Sequence, residues 1–321
     1  MDTLVPRPGT APYAPPATWR SDRNPSHGNA ALLPIWGATR VLPRRVAQGL
    51  AWVLGTGMAH TFRRTRRVLA GNLARLGRGR WTDREIQRLV TAVIRNWGRC
   101  VVDSMYLARA TPATLPRLVG RLDGGAILDA AVARGRGVVL ITPHLGHWEL
   151  GGALLAQAGY RVHVVTGVVA AEAVRNLKVD FRARLGIKQL TVEPGSPRAM
   201  LGILDALRAG EIVAMLPDRD SGAEHVTVEF CGDRARMPIG PAFLAVRTGA
   251  TLLPAYVVRG PDGRYDAAIE PPIEVPEAAP HERAEAVRAV TQRVATCLEG
   301  IIERHPDQWY QFFPAWEPRA A

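Results

Sequence analysis

The sequence predicts an α/β protein: a mixed, mostly parallel central sheet flanked by helices, preceded by an N-terminal helical segment. Two patterns and one number carry that prediction. Beyond Gly120, short apolar runs of strand length alternate with longer amphipathic runs, the rhythm of a sheet covered by helices on both faces. Before residue 110 the alternation is missing, and interrupted apolar and arginine-rich stretches of helical length take its place. With 321 residues, 47% of them hydrophobic, the chain can bury a full core as one large domain or two small ones.

In chain order, the first thirty residues carry six prolines without periodicity, which predicts a disordered lead over residues 1–30. They show no basic start followed at once by an apolar run, so no secretory signal is expected. Residues 31–110 are predicted to be a basic helical, membrane-associating segment. Val46 to Phe62 is uncharged but short of the ~20 apolar residues that a spanning helix needs. It runs directly into "RRTRR". Residues 1–110 hold 18 Arg against 5 acids, whereas the remainder holds 23 Lys+Arg against 24 acids. The charge excess thus lies beside the least interrupted apolar stretch, a combination that suits an anionic membrane surface. A soluble helical hairpin with a solvated basic face is the alternative. "TDRE", Thr82 to Glu85, reads as a capping box that opens a helix running to about Leu107.

Residues 111–321 are predicted to form the α/β domain. "GVVLITP", "YRVHVVTG", "IKQLTVE" and "EIVAMLP" are strands. Between them, "ELGGALLAQAG", "AAEAVRNLKVDFRARLG" and "SPRAMLGILDALRAG" are helices, the last with Ser196 as N-cap and Pro197 at its first position. "HVTVEFCG", "TLLPAYVVR" and "YDAAIEPP" add strands around a helix that opens at Gly240-Pro241, Pro261-Asp262-Gly263 is a turn, and residues 281–306 close the chain as a long helix. Cys100, Cys231 and Cys297 are scattered and form no C-x-x-C pair, which points to a reducing compartment and to no thiolate metal site.

One stretch breaks the pattern of apolar strand followed by polar turn. "HLGHWE", His144 to Glu149, sits directly behind "GVVLIT", and in such sheets sites form where strands end and helices begin. With His144 in the loop and Glu149 in the first helical turn, the carboxylate can fold back onto one imidazole nitrogen, leaving the other as a base of fixed tautomer. No nucleophilic side chain accompanies them, so the substrate must supply one, such as a hydroxyl. The structural alternative is an imidazole capping the turn beside a glutamate at a helix N-terminus. Gly146 permits a tight approach, and the small residues Gly151, Gly152 and Ala153 are expected to leave room beside the strand. Gly240 could offer backbone N–H groups to an anion. His144 and His147 lack a third ligand, so no metal is expected. G-x-S-x-G and Walker A motifs are missing, which disfavours a serine hydrolase and a P-loop enzyme.

The H-x4-E spacing behind an apolar strand resembles the first block of the lysophospholipid acyltransferase superfamily. "HLGHWEL" is similar to the form in bacterial lipid A late acyltransferases and phosphatidylinositol mannoside acyltransferases. "RARLG", "AMLPDRDSG", "VEFCGDRARMPIGPAFLAVRTGATLLPAY" and "HPDQWYQFFPAW" follow in that family's order. The resemblance implies a glycerolipid acyltransferase-like fold and transfer of a fatty acyl group from acyl-CoA or acyl-ACP, as co-substrate, to a lipid or glycolipid hydroxyl, with no cofactor. It implies that His144 is the catalytic base and that Glu149 orients it. Arg182 and Arg219 become candidates for binding phosphate or developing charge, and Asp218 for positioning the acceptor. The expected partners are the acyl thioester donor, with acyl-carrier protein as one candidate carrier, the acceptor lipid and an anionic membrane surface, without nucleic acid. The expected location is peripheral, on the cytoplasmic face of the inner membrane. His147 stands where lipid A acyltransferases commonly show Asn, and a clear spanning helix is not evident, which leaves the acceptor open. The competing function class is a non-catalytic basic lipid- or nucleic-acid-binding module on the same fold.

Overall fold

The computed structural model describes residues 37–111, 114–167, 179, 182–192, 198–219 and 224–316. The proline-rich lead, most of the helix expected before Gly186 and the Ser196–Pro197 cap lie outside them.

Three helices come first: α1 (Arg44–Thr61), α2 (Arg63–Gly77) and α3 (Asp83–Leu107). The capping box is formed, with the Thr82 backbone N–H donating to Glu85 Oε2 at 2.8 Å and the Glu85 N–H to Thr82 Oγ1 at 3.4 Å. Helix α1 is amphipathic in an inverted sense. Its small residues Ala47, Gly55 and Ala59 face the protein, while Val46, Leu50, Val53, Leu54 and Met58 are exposed, as is Phe62 beyond its end. Close approach to α3 demands the small face: a Cβ on Gly55 would lie 3.2 Å from Arg95 Cα, and one on Gly98 3.3 Å from Ala51 O.

A buried polar rivet fixes α1. Asp103, fully buried on α3, accepts from Arg44 Nε at 2.7 Å and Nη2 at 2.9 Å, from Gln48 Nε2 at 2.7 Å and from the Tyr265 hydroxyl at 2.7 Å. Arg44 also donates to the Gly263 carbonyl at 3.0 Å. The rivet therefore joins α1 and α3 to the turn and strand that follow Arg259.

The rest of the described chain alternates: β1 (Val119–Asp123), α4 (Gly125–Ala133), β2 (Val138–Ile141), α5 (Trp148–Gln157), β3 (Val162–Gly167), β4 (Lys188–Val192), α6 (Arg198–Arg208) and β5 (Ile212–Met215). A hairpin of β6 (His225–Phe230) and β7 (Asp233–Pro238) intervenes before α7 (Gly240–Thr248), β8 (Thr251–Arg259), β9 (Tyr265–Ile269) and α8 (Arg283–Arg304). The seven-stranded sheet has the order β1-β9-β8-β2-β5-β3-β4. All its pairings are parallel except β8–β9, the mixed, mostly parallel sheet that the sequence predicts. β8 and β9 are joined by the expected Pro-Asp-Gly turn, in which Gly263 has φ 83°.

Two strands were not among those expected. β1 is a polar edge strand whose exposed half carries Arg121 and Asp123, so it lacks an apolar run to mark it. β7 alternates Arg234 and Arg236 with buried Ala235 and Met237. Its hairpin turns at Cys231 and Gly232, both at positive φ, 54° and 74°; cysteine is an unusual residue for that first turn position.

The largest core cluster includes Leu69, Leu73 and Leu76 of α2, Val90, Val93 and Ile94 of α3, Val139 and Ile141 of β2 and much of α8. Helices α2 and α3 thus share apolar burial with the sheet, and of these three helices only α1 presents a broad apolar face outward.

Candidate functional site

β2 ends at Ile141, and its ladder runs on through the Thr142 N–H to the Met215 carbonyl, 3.1 Å. The chain then turns sharply under control of its neighbours. Gly146 adopts φ 57° directly over β8, and a Cβ there would fall 1.8 Å from the Val257 carbonyl oxygen. Only glycine fits that position. The His147 N–H donates to the same carbonyl at 2.8 Å, so the loop is pinned to β8 immediately before α5 starts.

This geometry presents His144 at the C-terminal rim of the sheet. Its Nδ1 lies 2.6 Å from Asp218 Oδ1, and its backbone N–H donates to Asp218 Oδ2 at 2.9 Å. Trp309 Nε1 donates to the same Oδ2 at 3.0 Å. The Asp218 side chain is fully buried and the imidazole 18% exposed. Burial alone would raise the Asp218 pKa; the charge and hydrogen bond of His144, the Arg219 charge and the His144 N–H outweigh it and hold the carboxyl at about 2. Asp218 is therefore ionised at neutral pH, and Nδ1 carries the proton in their hydrogen bond.

The sequence reading placed Glu149 on the imidazole. The carboxylate on Nδ1 is Asp218's instead, brought across from the loop after β5. Glu149, in the first turn of α5, accepts from Arg182 Nε at 3.0 Å and from Nη2, while Arg182 Nη1 donates to Gln189 Oε1 at 2.7 Å. Arg182, 4% exposed, is committed to this pair, because a buried guanidinium without a carboxylate is costly. Asp218, for which the expectation was acceptor positioning, is hydrogen-bonded through both oxygens to His144.

Arg219 follows Asp218 and turns to the end of the chain, donating from Nε to Gln311 Oε1 at 3.1 Å and from Nη2 to the Tyr310 carbonyl. Desolvation lowers its pKa to about 10 against the pull of Asp218, so it stays cationic at neutral pH. Gly240 opens α7 against Met215, where a Cβ would meet the Met215 Cε at 3.2 Å. Since Met215 pairs with Ile141, the first turn of α7 stands on the same rim as His144.

His147 is the N-cap of α5, its Nδ1 accepting the Leu150 N–H at 3.3 Å. Burial, opposed by the charges of Asp103 and Glu149, lowers its pKa, so this imidazole is neutral and structural. The small residues of α5 do not leave the room expected of them. A Cβ on Gly151 would meet Val257 Cγ2 at 3.0 Å and one on Gly152 Ile187 Cδ1 at 3.2 Å; Ala153 is buried. They let α5 lie close to β8 and to Ile187 and open no slot there.

Sequence reasoning assigned no role to the aromatic wall beside His144, which Trp148 at the start of α5 forms with Trp97, Tyr310 and Phe312. The Trp148 ring meets the His144 ring edge-on, with centroids 5.5 Å apart, and Trp97 packs on Trp148, Tyr310 and Phe312 at 6.3, 5.1 and 5.6 Å. The signal was present as the aromatic density of "WYQFFPAW", residues 309–316.

Comparison with known proteins gives the family resemblance a firm extent. Residues 23–317 match the protein family described as bacterial lipid A biosynthesis acyltransferase. A phosphatidylinositol mannoside acyltransferase of Mycobacterium tuberculosis (strain ATCC 25618 / H37Rv) is 31% identical over 230 residues, 71% of this chain and 70% of the relative. The protein so named in Mycolicibacterium smegmatis is 27% identical over 282 residues, 88% of each chain.

Proposed function

Because the chain belongs to the bacterial lipid A biosynthesis acyltransferase family and is therefore an acyltransferase acting on lipid or glycolipid substrates, we propose that it moves a fatty acyl group from acyl-CoA or acyl-ACP to an acceptor hydroxyl, with His144 as general base. The observation that carries this reading is the 2.6 Å contact between His144 Nδ1 and Asp218. With Nδ1 engaged, the proton-accepting atom is Nε2. It takes the acceptor's O–H proton as that oxygen attacks the thioester carbonyl carbon, the C–S bond breaks, and the leaving thiolate recovers the proton from the imidazolium. No acyl group passes through the enzyme. The ionised Asp218 fixes the tautomer and stabilises the imidazolium without taking the proton itself.

Glu149 and Arg182 support the site as a locked pair at the start of α5, holding the wall that carries Trp148 beside His144. Arg219 keeps a positive charge next to Asp218, and the first-turn N–H groups at Gly240 are donors for an anionic group on the same rim. The relatives' name makes a phosphatidylinositol mannoside the acceptor to try first.

Residues 31–110 act in this reading as the membrane-associating segment, ahead of the acyltransferase domain. The outward residues Val46, Leu50, Val53, Leu54 and Met58 would enter an anionic leaflet on the cytoplasmic side, with Arg63, Arg64, Arg66 and Arg67 at the headgroups. Among the described residues, no helix is long and apolar enough to cross a membrane. Because α2 and α3 share apolar burial with the sheet, point variants are cleaner than truncation. Val53→Glu with Leu54→Glu should abolish flotation with anionic liposomes, and high salt should weaken wild-type binding. Equal binding to neutral vesicles would remove the charge argument. The chemistry is tested by incubating purified protein with acyl-CoA or acyl-ACP and a phosphatidylinositol mannoside, and following product by mass spectrometry. No transfer to any hydroxylated lipid would sink the reading.

A further inference from the structure

The aromatic end of the chain takes no part in the chemistry above, yet it surrounds Asp218. An isolated bridge pairs Leu145 with Trp309, the Gly146 N–H donates to the Gln308 carbonyl at 3.0 Å, and the Tyr310 N–H donates to the His144 carbonyl at 2.8 Å. The segment is thus laid as a strap along the loop that bears His144. From it the Trp309 indole reaches Asp218 Oδ2 at 3.0 Å, and Gln311 Nε2 reaches the Asp218 carbonyl at 3.0 Å. Asn72 of α2 ties the strap down, donating to the Gln311 and Phe313 carbonyls at 2.9 and 2.8 Å and accepting the Ala315 N–H at 3.2 Å.

Trp309 is 1% exposed, and a buried indole N–H without a partner is costly, so its bond to Asp218 is strongly enforced. Oδ2 receives two donors, the indole and the His144 backbone N–H. A carboxylate pinned by one oxygen in this way cannot rotate, and its other oxygen is left aimed at Nδ1. Small displacements of a reacting group are expensive in rate.

We propose that Trp309 is a positioning residue: its indole N–H, acting with the His144 backbone, orients Asp218 so that Oδ1 holds the imidazole in its working tautomer and direction. The proposal rests on the reading of His144 as the base. It requires an effect of the indole N–H that is separate from the packing of the ring.

The test uses the full chain. Trp309→Phe keeps an aromatic ring in the strap and deletes the donor. The expected result is a kcat roughly tenfold lower, a KM for the acyl donor within about twofold of wild type, and a moved NMR resonance for the His144 Nδ1 proton. In an Asp218→Asn background the same substitution should cost almost nothing further, because it acts through that carboxylate. Trp316→Phe is the packing control. Its indole donates to the Phe230 carbonyl at 3.1 Å, away from Asp218, so it should lower stability and leave the Nδ1 resonance in place. If Trp309→Phe fails to accumulate, incorporation of benzothienylalanine, which has the tryptophan shape with sulfur in place of N–H, makes the same test. A folded Trp309 variant with wild-type kcat and an unmoved resonance would overturn the proposal, as would an equal loss in the Asp218→Asn background. Should the resonance move while His144→Ala still transfers acyl groups, the positioning of the pair stands and the identity of the base is what fails.

Discussion

Asp103 and Asp218 are both buried carboxylates with side chains closed to solvent, and each is gripped by several donors. They differ in the partner. Asp103 faces the guanidinium of Arg44, with Gln48 and Tyr265 completing its shell, whereas Asp218 faces the imidazole of His144, with Trp309 and a backbone N–H completing its own. A guanidinium does not release its proton near neutral pH, so the first pair can only hold elements together. An imidazole exchanges its proton there, so the second can move one. Burial and hydrogen bonding do not tell a rivet from a pair that can move a proton; the titration range of the partner does.

The largest effect that would sharpen this contrast is on rate. His144→Ala should fold normally and lower acyl transfer 10²–10⁴-fold, the usual worth of a general base; near-wild-type turnover would end its role. Asp103→Asn should act on stability, costing about 3 kcal/mol in urea unfolding because Arg44 loses its counter-charge, while kcat per folded molecule holds. A catalytic loss without destabilisation would erase the distinction between the two carboxylates.

Acid should find Asp218 next. Its folded pKa of about 2 lies below the ordinary 3.8, so the stabilisation it contributes is complete above about pH 4 and is lost as pH falls through 2. The amount is on the order of 2 kcal/mol. The difference in unfolding free energy between wild type and Asp218→Asn should therefore shrink from pH 5 to pH 2, and a constant difference would refute the depressed pKa. The smallest effect is expected from Tyr265→Phe, which removes one donor from Asp103. It should cost about 1.5 kcal/mol by urea unfolding and leave the pH dependence of transfer untouched.

The loop proposed to bear the chemistry was legible because its signal is local: an apolar run fully buried as β2, a glycine at the turn, and a histidine where strand gives way to helix. The partner of that histidine was not. Asp218 stands 74 residues away in sequence from His144, and the carboxylate assigned to the imidazole was the one close to it in sequence. Glu149 had the proximity in sequence, but in the fold its side chain meets Arg182. The spacing could not expose Trp309 either, since its bond to Asp218 spans 91 residues.

By itself the sequence determined most of the succession of elements, with β1 and β7 the strands it missed, the capping box, the sheet class, and the concentration of arginines next to an apolar helix, all properties of neighbours within a few turns of one another. The tertiary structure decided which carboxylate holds which cation, that the glycines of α5 are filled by close packing, and that the last aromatic residues close over the site. The physical reason is range. Backbone preference and hydrophobic period act over adjacent residues, whereas the orientation of a buried charge is set by whichever donors the folded core brings within about 3 Å, however far apart they lie in the chain.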